Sequence, residues 1–383
     1  MGEFVAGVGS GVGVGDVGWS LVSSRAVLEH RAVVLAGGCE GFVGGLGAVA
    51  AGVPAAGVVS GVVSGGVGRV VFVFPGQGSQ WVGMASGLLE SSPVFLESVV
   101  RCGEALAPFV GWDLLEVLRG GGSLERVDVV QPVLWAVMVS LAEVWRSVGV
   151  VPSVVVGHSQ GEIAAACVSG ALSLSDGARL VALRSAVIGR GLAGLGGMVS
   201  VGASVERVGE LLAGREGVWV AVVNGPGSTV VAGGVEELAG VRAAAEAVGV
   251  RVRVIAVDYA SHTPHVEGVR EELFELASGV SPGVGEVAMY STVTAGLVEG
   301  EVLDAGYWYR NLREPVRFEE TVRGLLDEGD AVFVEVSPHP VLMGALQEIG
   351  DDVLAVGTLR RGEGGPERFM ASMAELWVQG VEL

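Results

Sequence analysis

Val154-Val155-Val156-Gly157-His158-Ser159-Gln160-Gly161-Glu162-Ile163 is the stretch that decides the fold. A β-branched run enters Gly-His-Ser-Gln-Gly, and Ala164-Ala165-Ala166-Cys167 continues in a small-residue helical pattern. That order predicts a buried strand, a sharp turn and a helix, with a serine at the apex. The G-x-S-x-G spacing has a mechanical cause. The serine sits on a strained turn, and the flanking glycines remove side chains that would collide there. Its hydroxyl then stands above a sheet edge. The N–H of Gln160 falls at a helix N-terminus, where donors and the dipole favour a developing oxyanion. In a chain with 64 glycines a Gly-rich turn with an incidental serine is the bland alternative. The strand before and the helix after mark Ser159 as a nucleophile.

The 383 residues predict two or three units. Half are hydrophobic but only 6% aromatic, so valine, leucine and alanine must build the core. The net charge of −20 argues against nucleic acid and anionic membranes as partners. Cys39, Cys102 and Cys167 are odd in number and widely spaced, which fits a reducing, cytoplasmic setting without a disulfide framework. No Cys/His cluster has metal-ligand spacing, so no metal is expected. No basic segment followed by an apolar run opens the chain, and no signal peptide is expected. The uncharged stretch Gly41–Gly68 holds ten glycines and a proline, which reads as a loosely packed connector rather than a membrane span.

Residues 1–68 show a strand pattern at Arg31–Leu35, a helix pattern near Phe42–Ala51 and many breakers, the profile of a linker or small add-on. At Arg69 the pattern sharpens. Val70–Phe74 is a buried-type strand ending in Pro75-Gly76-Gln77-Gly78-Ser79. A strand running into such a turn offers backbone N–H groups at a sheet's C-terminal edge, and a second oxyanion donor is the reading that fits. Helices at Pro93–Ala107, Val129–Val148 and Ser175–Arg190 surround the serine strand; Arg184 lies on the last. From Met198 to Val257 the order is β-α-β-β-α-β, the ferredoxin-like pattern, read as a small inserted domain. Strands at Val287–Ser291 and Ala331–Val336 return to the large domain. The expected class is α/β: a hydrolase-like large domain with a mainly parallel sheet, carrying the small insertion.

A serine needs a base. Of five histidines, His158 adjoins the nucleophile too closely for a relay, and His30 lies in the add-on. His262, His265 and His339 remain. His262 follows a strand directly, where a base above a sheet belongs. A carbonyl of the Ser337–Pro340 turn is a candidate to orient the imidazole.

Phe72–Trp81, Gly157–Glu162, Leu183-Arg184-Ser185, Tyr259-Ala260-Ser261-His262 and Ser337–Pro340 together resemble the acyltransferase domains of modular polyketide synthases, relatives of malonyl-CoA:ACP transacylase. Arg184 lies 25 residues beyond Ser159 and His262 lies 103 beyond, as in that family. The likeness covers about residues 69–360. It implies Ser159 as the acylated nucleophile, His262 as its base, and the N–H groups of Gln77 and Gln160 as the oxyanion hole. It implies Arg184 as the clamp on a free carboxylate, which suits a guanidinium's bidentate fork. It also implies a pocket role for Asn224 and a His339 carbonyl holding the imidazole. The implied division is 1–68, part of a ketosynthase–acyltransferase linker; 69–197 and 258–358, the large subdomain; 198–257, the small one; and 359–383, a linker beyond.

The expected reaction is ping-pong transfer of an extender unit from acyl-CoA to an acyl carrier protein, beside an upstream ketosynthase. No cofactor is expected beyond the phosphopantetheine that the partner carries. Arg126–Gln131, Gln160 and Tyr259–His262 resemble methylmalonyl-selective members, which implicates Gln131, Tyr259 and Ser261 in substrate choice; ethylmalonyl or larger alkylmalonyl-CoA is the alternative. A local arginine patch, Arg310, Arg313 and Arg317, is the candidate docking surface for the carrier protein. A serine hydrolase is the competing enzyme reading and a non-catalytic scaffold the non-enzyme one.

Overall fold

The computed structural model describes residues 13–63, 65–350 and 353–383. The chain divides into two compact units, Met1–Val67 with Gly365–Leu383, and Gly68–Gly364. Residues 1–12, part of the segment expected to be a linker, lie outside the described residues.

In the first unit, β1 (His30–Val34) pairs antiparallel with β2 (Val58–Val62), and the helix Cys39–Ala51 connects them. The C-terminal helix Pro366–Trp377 belongs to the same unit. Arg31 donates to the Trp377 carbonyl at 2.7 Å and lies over its ring. A Cβ at Gly61 would stand 2.7 Å from the Val378 carbonyl, so β2 seats closely on that terminus. Gly41–Gly68, expected as a loose connector, is thus largely helix and strand. The helix pattern read near Phe42–Ala51 corresponds to Cys39–Ala51, while β2 was not expected.

The second unit carries two sheets. The larger has the order β10-β9-β4-β3-β12-β13, comprising β3 (Arg69–Phe74), β4 (Val154–Gly157), β9 (Ala288–Ser291), β10 (Gly296–Val298), β12 (Ala331–Glu335) and β13 (Leu354–Gly357). All neighbours are parallel except β10 with β9. The β-branched runs of β3 and β4 are buried on both faces, as helix-covered parallel strands require. Val127–Ser147, long and apolar enough to cross a membrane, is instead a core helix with most of its residues buried.

The smaller sheet has the order β11-β6-β7-β5-β8, from β5 (Gly197–Val201), β6 (Val218–Gly225), β7 (Ser228–Gly233), β8 (Val252–Ile255) and β11 (Val316–Arg317). Its first four strands are antiparallel and, with two helices, form the expected β-α-β-β-α-β unit. β11 was not expected there. It comes from the large subdomain and pairs parallel with β6, Val316 opposite Val222. A two-residue strand leaves no periodic trace in a sequence. One apolar core joins the two sheets, with Val71, Val73 and Val156 packed in the same cluster as Val222, Val230 and Phe318.

β3 and β4 end side by side, Val73 opposite Val156 and Phe74 opposite Gly157. Their two glycine-rich loops therefore emerge at one sheet edge. A Cβ at Gly161 would fall 2.0 Å from the Phe74 carbonyl oxygen and 2.6 Å from that of Pro75. Backbone contact this close allows no side chain. Gly161→Ala is expected to destabilise the fold by about 3 kcal/mol or more, measured by urea unfolding, with loss of Ser159 reactivity in the protein that remains folded.

Candidate active site

Ser159 adopts φ +54° and His262 φ +61°, left-handed conformations in non-glycine residues. Each costs about 1–3 kcal/mol and persists only where the surroundings impose it. For Ser159 they are the end of β4 and the start of the helix Gly161–Ser169. For His262 it is the C-terminus of the helix Ala305–Arg313, where carbonyls have no partner within the helix. The His262 N–H donates to the Leu312 carbonyl at 2.8 Å.

The two side chains meet. Ser159 Oγ lies 2.9 Å from His262 Nε2, and His262 Nδ1 lies 2.8 Å from the Glu314 carbonyl. A carbonyl only accepts, so Nδ1 carries the proton, and Nε2 is free to accept the serine hydroxyl proton. The expectation that His339 supplies this carbonyl is overturned. The loop Ser337–Pro340 follows β12, on the far side of β3 from the serine loop. The His339 carbonyl accepts from Ser337 Oγ, and its Nδ1 accepts from the Arg361 N–H. His265 packs edge-on against Trp219, away from the dyad.

Burial pushes the His262 imidazole down to about 3; Arg184 and His158 add to the fall, and the Glu314 carbonyl opposes it. The imidazole is thus neutral at neutral pH.

A cavity of about 150 Å³ opens beside the dyad between the two sheets, with Ser159, His262, Gln77, Gln160, Gln131, Arg184, Tyr259, Ser261 and Asn224 all in its lining. Met198, Val222, Val230, Ile255 and Val257 make its apolar wall. Every residue expected in the site except His339 is therefore brought together. Gln77 and Gln160 each stand three residues beyond the ends of β3 and β4, and both line the cavity. Asn224 Oδ1 accepts from His158 Nε2 at 2.8 Å, linking the serine loop to β6.

Arg184 is fully buried, and burial pulls its guanidinium down to about 10, still charged at neutral pH. Its terminal nitrogens donate to Gln131 Oε1 and Asn311 Oδ1, both at 3.3 Å. Those are long bonds to neutral oxygens, and no carboxylate pairs with it directly among the described residues. Gln131 Nε2 donates to the Tyr259 hydroxyl, which donates to Gln77 Oε1, each at 3.1 Å. Burial raises the Tyr259 phenol to about 12, so it remains a neutral donor.

Three residues of this site escaped sequence reasoning. Glu314 acts through its backbone, which has no side-chain signal. Glu162 and Asn311 are buried polar side chains beneath the serine loop. A signal for Asn311 existed: it stands four residues beyond Tyr307 and three beyond Trp308, on the apolar face of its helix. The proposed arginine patch is largely neutralised within the chain. Arg313 pairs with Glu267 and Arg317 with Glu320, while Arg310 lies over the Tyr307 ring.

The family model for acyl transferase domains matches residues 71–383. Polyketide synthase GfsB of Streptomyces halstedii is 53% identical over 377 residues, which are 96% of this chain and 7% of that protein. This chain therefore spans only a small part of that relative. The solved acyltransferase domain from module 8 of the salinomycin polyketide synthase matches with a TM-score of 0.96 and 54% identity, over 99% of this chain and 91% of that one. The acyltransferase domain of SpnD, solved in complex with 2-(pent-4-yn-1-yl)malonyl, matches with a TM-score of 0.89 and 27% identity, over 99% and 91%.

The buried imidazole sets a pH expectation. Acylation of Ser159, as kcat/KM, should stay level as pH falls through 6.5, where an unperturbed imidazole is half protonated. A half-maximal rate near that value contradicts it. The same depression means the unfolded chain binds the extra proton first, so this histidine's contribution to stability is lost as pH falls from about 6.5 toward 3.

Proposed function

Because this chain belongs to the acyl transferase domain family, we propose that it loads an alkylmalonyl extender unit from acyl-CoA onto an acyl carrier protein of a modular polyketide synthase. The carrying observation is Arg184: a buried cation, in one cavity with Ser159 and His262, met only by neutral amide oxygens. A buried charge without a counter-charge is costly. An acyl group with its own free carboxylate supplies that partner, bidentately on a planar fork. A simple hydrolase acting on monocarboxylic esters has no use for such a group.

The steps follow from the geometry. Ser159 Oγ attacks the thioester carbonyl as His262 Nε2 takes its proton. The oxyanion meets the N–H groups of Gln77 and Gln160. The tetrahedral intermediate collapses, the carbon–sulfur bond breaks, and His262 returns the proton to the departing CoA sulfur. The phosphopantetheine thiol of the carrier protein then repeats the sequence on the serine ester. The chain needs no cofactor of its own for this, and the setting is cytoplasmic beside an upstream ketosynthase.

Methylmalonyl is the extender that fits best. The wall from Met198, Val222, Val230, Ile255 and Val257 is apolar, which suits an alkyl branch. Ser261 is small and buried, with its hydroxyl turned to Met198 Sδ at 3.7 Å, so the space beside His262 stays open. The SpnD domain's bound ligand carries a longer branch, and ethylmalonyl is accordingly the second choice. One methylene in an apolar pocket is worth only about 1–3 kcal/mol, so malonyl is a poor substrate rather than an excluded one.

Competition among malonyl-, methylmalonyl-, ethylmalonyl- and propionyl-CoA, read as acyl mass on Ser159, tests the reading. Methylmalonyl should dominate in the unmodified protein. Arg184→Ala should lower the dicarboxylic acyl-CoAs by about 100-fold relative to propionyl-CoA, on the scale of a lost buried charge pair, and Arg184→Lys should restore only part of it. Dominance of malonyl overturns the choice of extender; equal losses on both substrate types overturn the clamp.

A further inference from the structure

Beneath the serine loop, Asn311 touches three things at once. Its Nδ2 donates to the Ser159 carbonyl and to Glu162 Oε2, both at 3.1 Å, and its Oδ1 accepts from Arg184 NH2 at 3.3 Å. Both partners of Nδ2 are acceptors without a proton to give. A flipped amide would set oxygen against oxygen twice, so the orientation is forced and Oδ1 must face Arg184. We propose that Asn311 is a positioning residue for substrate choice, holding the Arg184 guanidinium in register with the Ser159 nucleophile so that a carboxylated acyl group is preferred.

Glu162 fixes the far end of this arrangement. It is fully buried in an otherwise alanine-rich helix, and its carboxylate receives the Thr292 N–H at 2.7 Å and the Tyr307 hydroxyl as well as the Asn311 amide. Burial pushes the Glu162 carboxyl up, and the hydrogen bonds that Thr292, Tyr307 and Asn311 give to its two oxygens favour the ionised form and oppose that rise. Its charge lies one amide away from Arg184. A carboxylate in direct contact would occupy the fork that the substrate needs. The interposed asparagine keeps Glu162 off the guanidinium, so Arg184 lines the cavity with no carboxylate in direct contact and with its buried Nε unpartnered. Because the same amide holds the Ser159 carbonyl, the clamp and the nucleophile share one anchor. Glu162 lies outside the cavity lining, so the device acts through Arg184 and touches no substrate.

This inference rests on the carboxylate-clamp reading, and the test separates the two. Asn311→Ala and the volume-conserving Asn311→Leu are compared with the unmodified protein for self-acylation by methylmalonyl-CoA and by propionyl-CoA. The expected result in both variants is a fall of about tenfold in the methylmalonyl:propionyl ratio of kcat/KM, the scale of one charge-assisted hydrogen bond. The fall should appear chiefly as a raised KM for methylmalonyl-CoA. Propionyl-CoA should lose only what the missing Ser159 carbonyl contact costs, a loss common to both substrates that cancels in the ratio, and its remaining turnover reports a folded site. Equal losses on both substrates, or an unchanged ratio in a variant that still turns over propionyl-CoA, overturn the inference while leaving the clamp intact. An unmodified protein with no preference for the carboxylated substrate brings down the clamp reading and this inference with it.

Discussion

The backbone of Gly161 lies against the carbonyls of Phe74 and Pro75, and everything in the site depends on that approach. It lets the serine loop fold tightly over the ends of β3 and β4. Gly157 makes a second close contact, since a Cβ there would fall 2.2 Å from Glu162 Cα. With both side chains absent, Ser159 can be held at positive φ, its hydroxyl raised and its following N–H turned to the same edge. The strain is stored in the turn and borne by two parallel strands buried on both faces. Position, more than any single strong bond, is what the fold supplies.

The electrostatics follow the same logic of burial. His262 is kept neutral by its dry surroundings and by the cationic Arg184 nearby, and the Glu314 carbonyl selects the tautomer that works as a base. Arg184 stays charged because it is an arginine; a lysine buried as deeply would surrender its proton more readily. Two groups of opposite duty thus share one cavity. The apolar wall from the smaller sheet removes water from both, which strengthens each interaction that a bound carboxylate or oxyanion would make.

Much of this was legible in the residues. The strand–turn–helix pattern around Ser159 located the turn that meets His262, and the β-α-β-β-α-β order located the inserted sheet. The placement of His262 after a strand pointed to the imidazole that meets Ser159, 103 residues away in sequence, and Gln131, Asn224, Tyr259 and Ser261 all line the cavity. What stayed hidden acts through the backbone or through short elements. The Glu314 carbonyl replaced the expected His339 because a helix C-terminus leaves unpaired acceptors wherever it ends, whatever side chains stand there. β11 is two residues long and has no period. In the Gly-rich segment before Val67 the first strand and the helix were read, and only β2, with Gly61 closely packed on the Val378 carbonyl, was missed. Nor could the sequence show which acidic partners, Glu267 and Glu320, Arg313 and Arg317 meet in the fold.

The central claim is that the serine ester is made to be handed on rather than released to water. The most direct measurement is the lifetime of the acyl ester on Ser159, followed by intact mass after excess acyl-CoA is removed. The account predicts an ester that persists for many turnover times alone and is discharged rapidly by added carrier protein bearing phosphopantetheine, with the acyl mass appearing on that partner. An ester lost to water at the same rate with or without the carrier protein would contradict it.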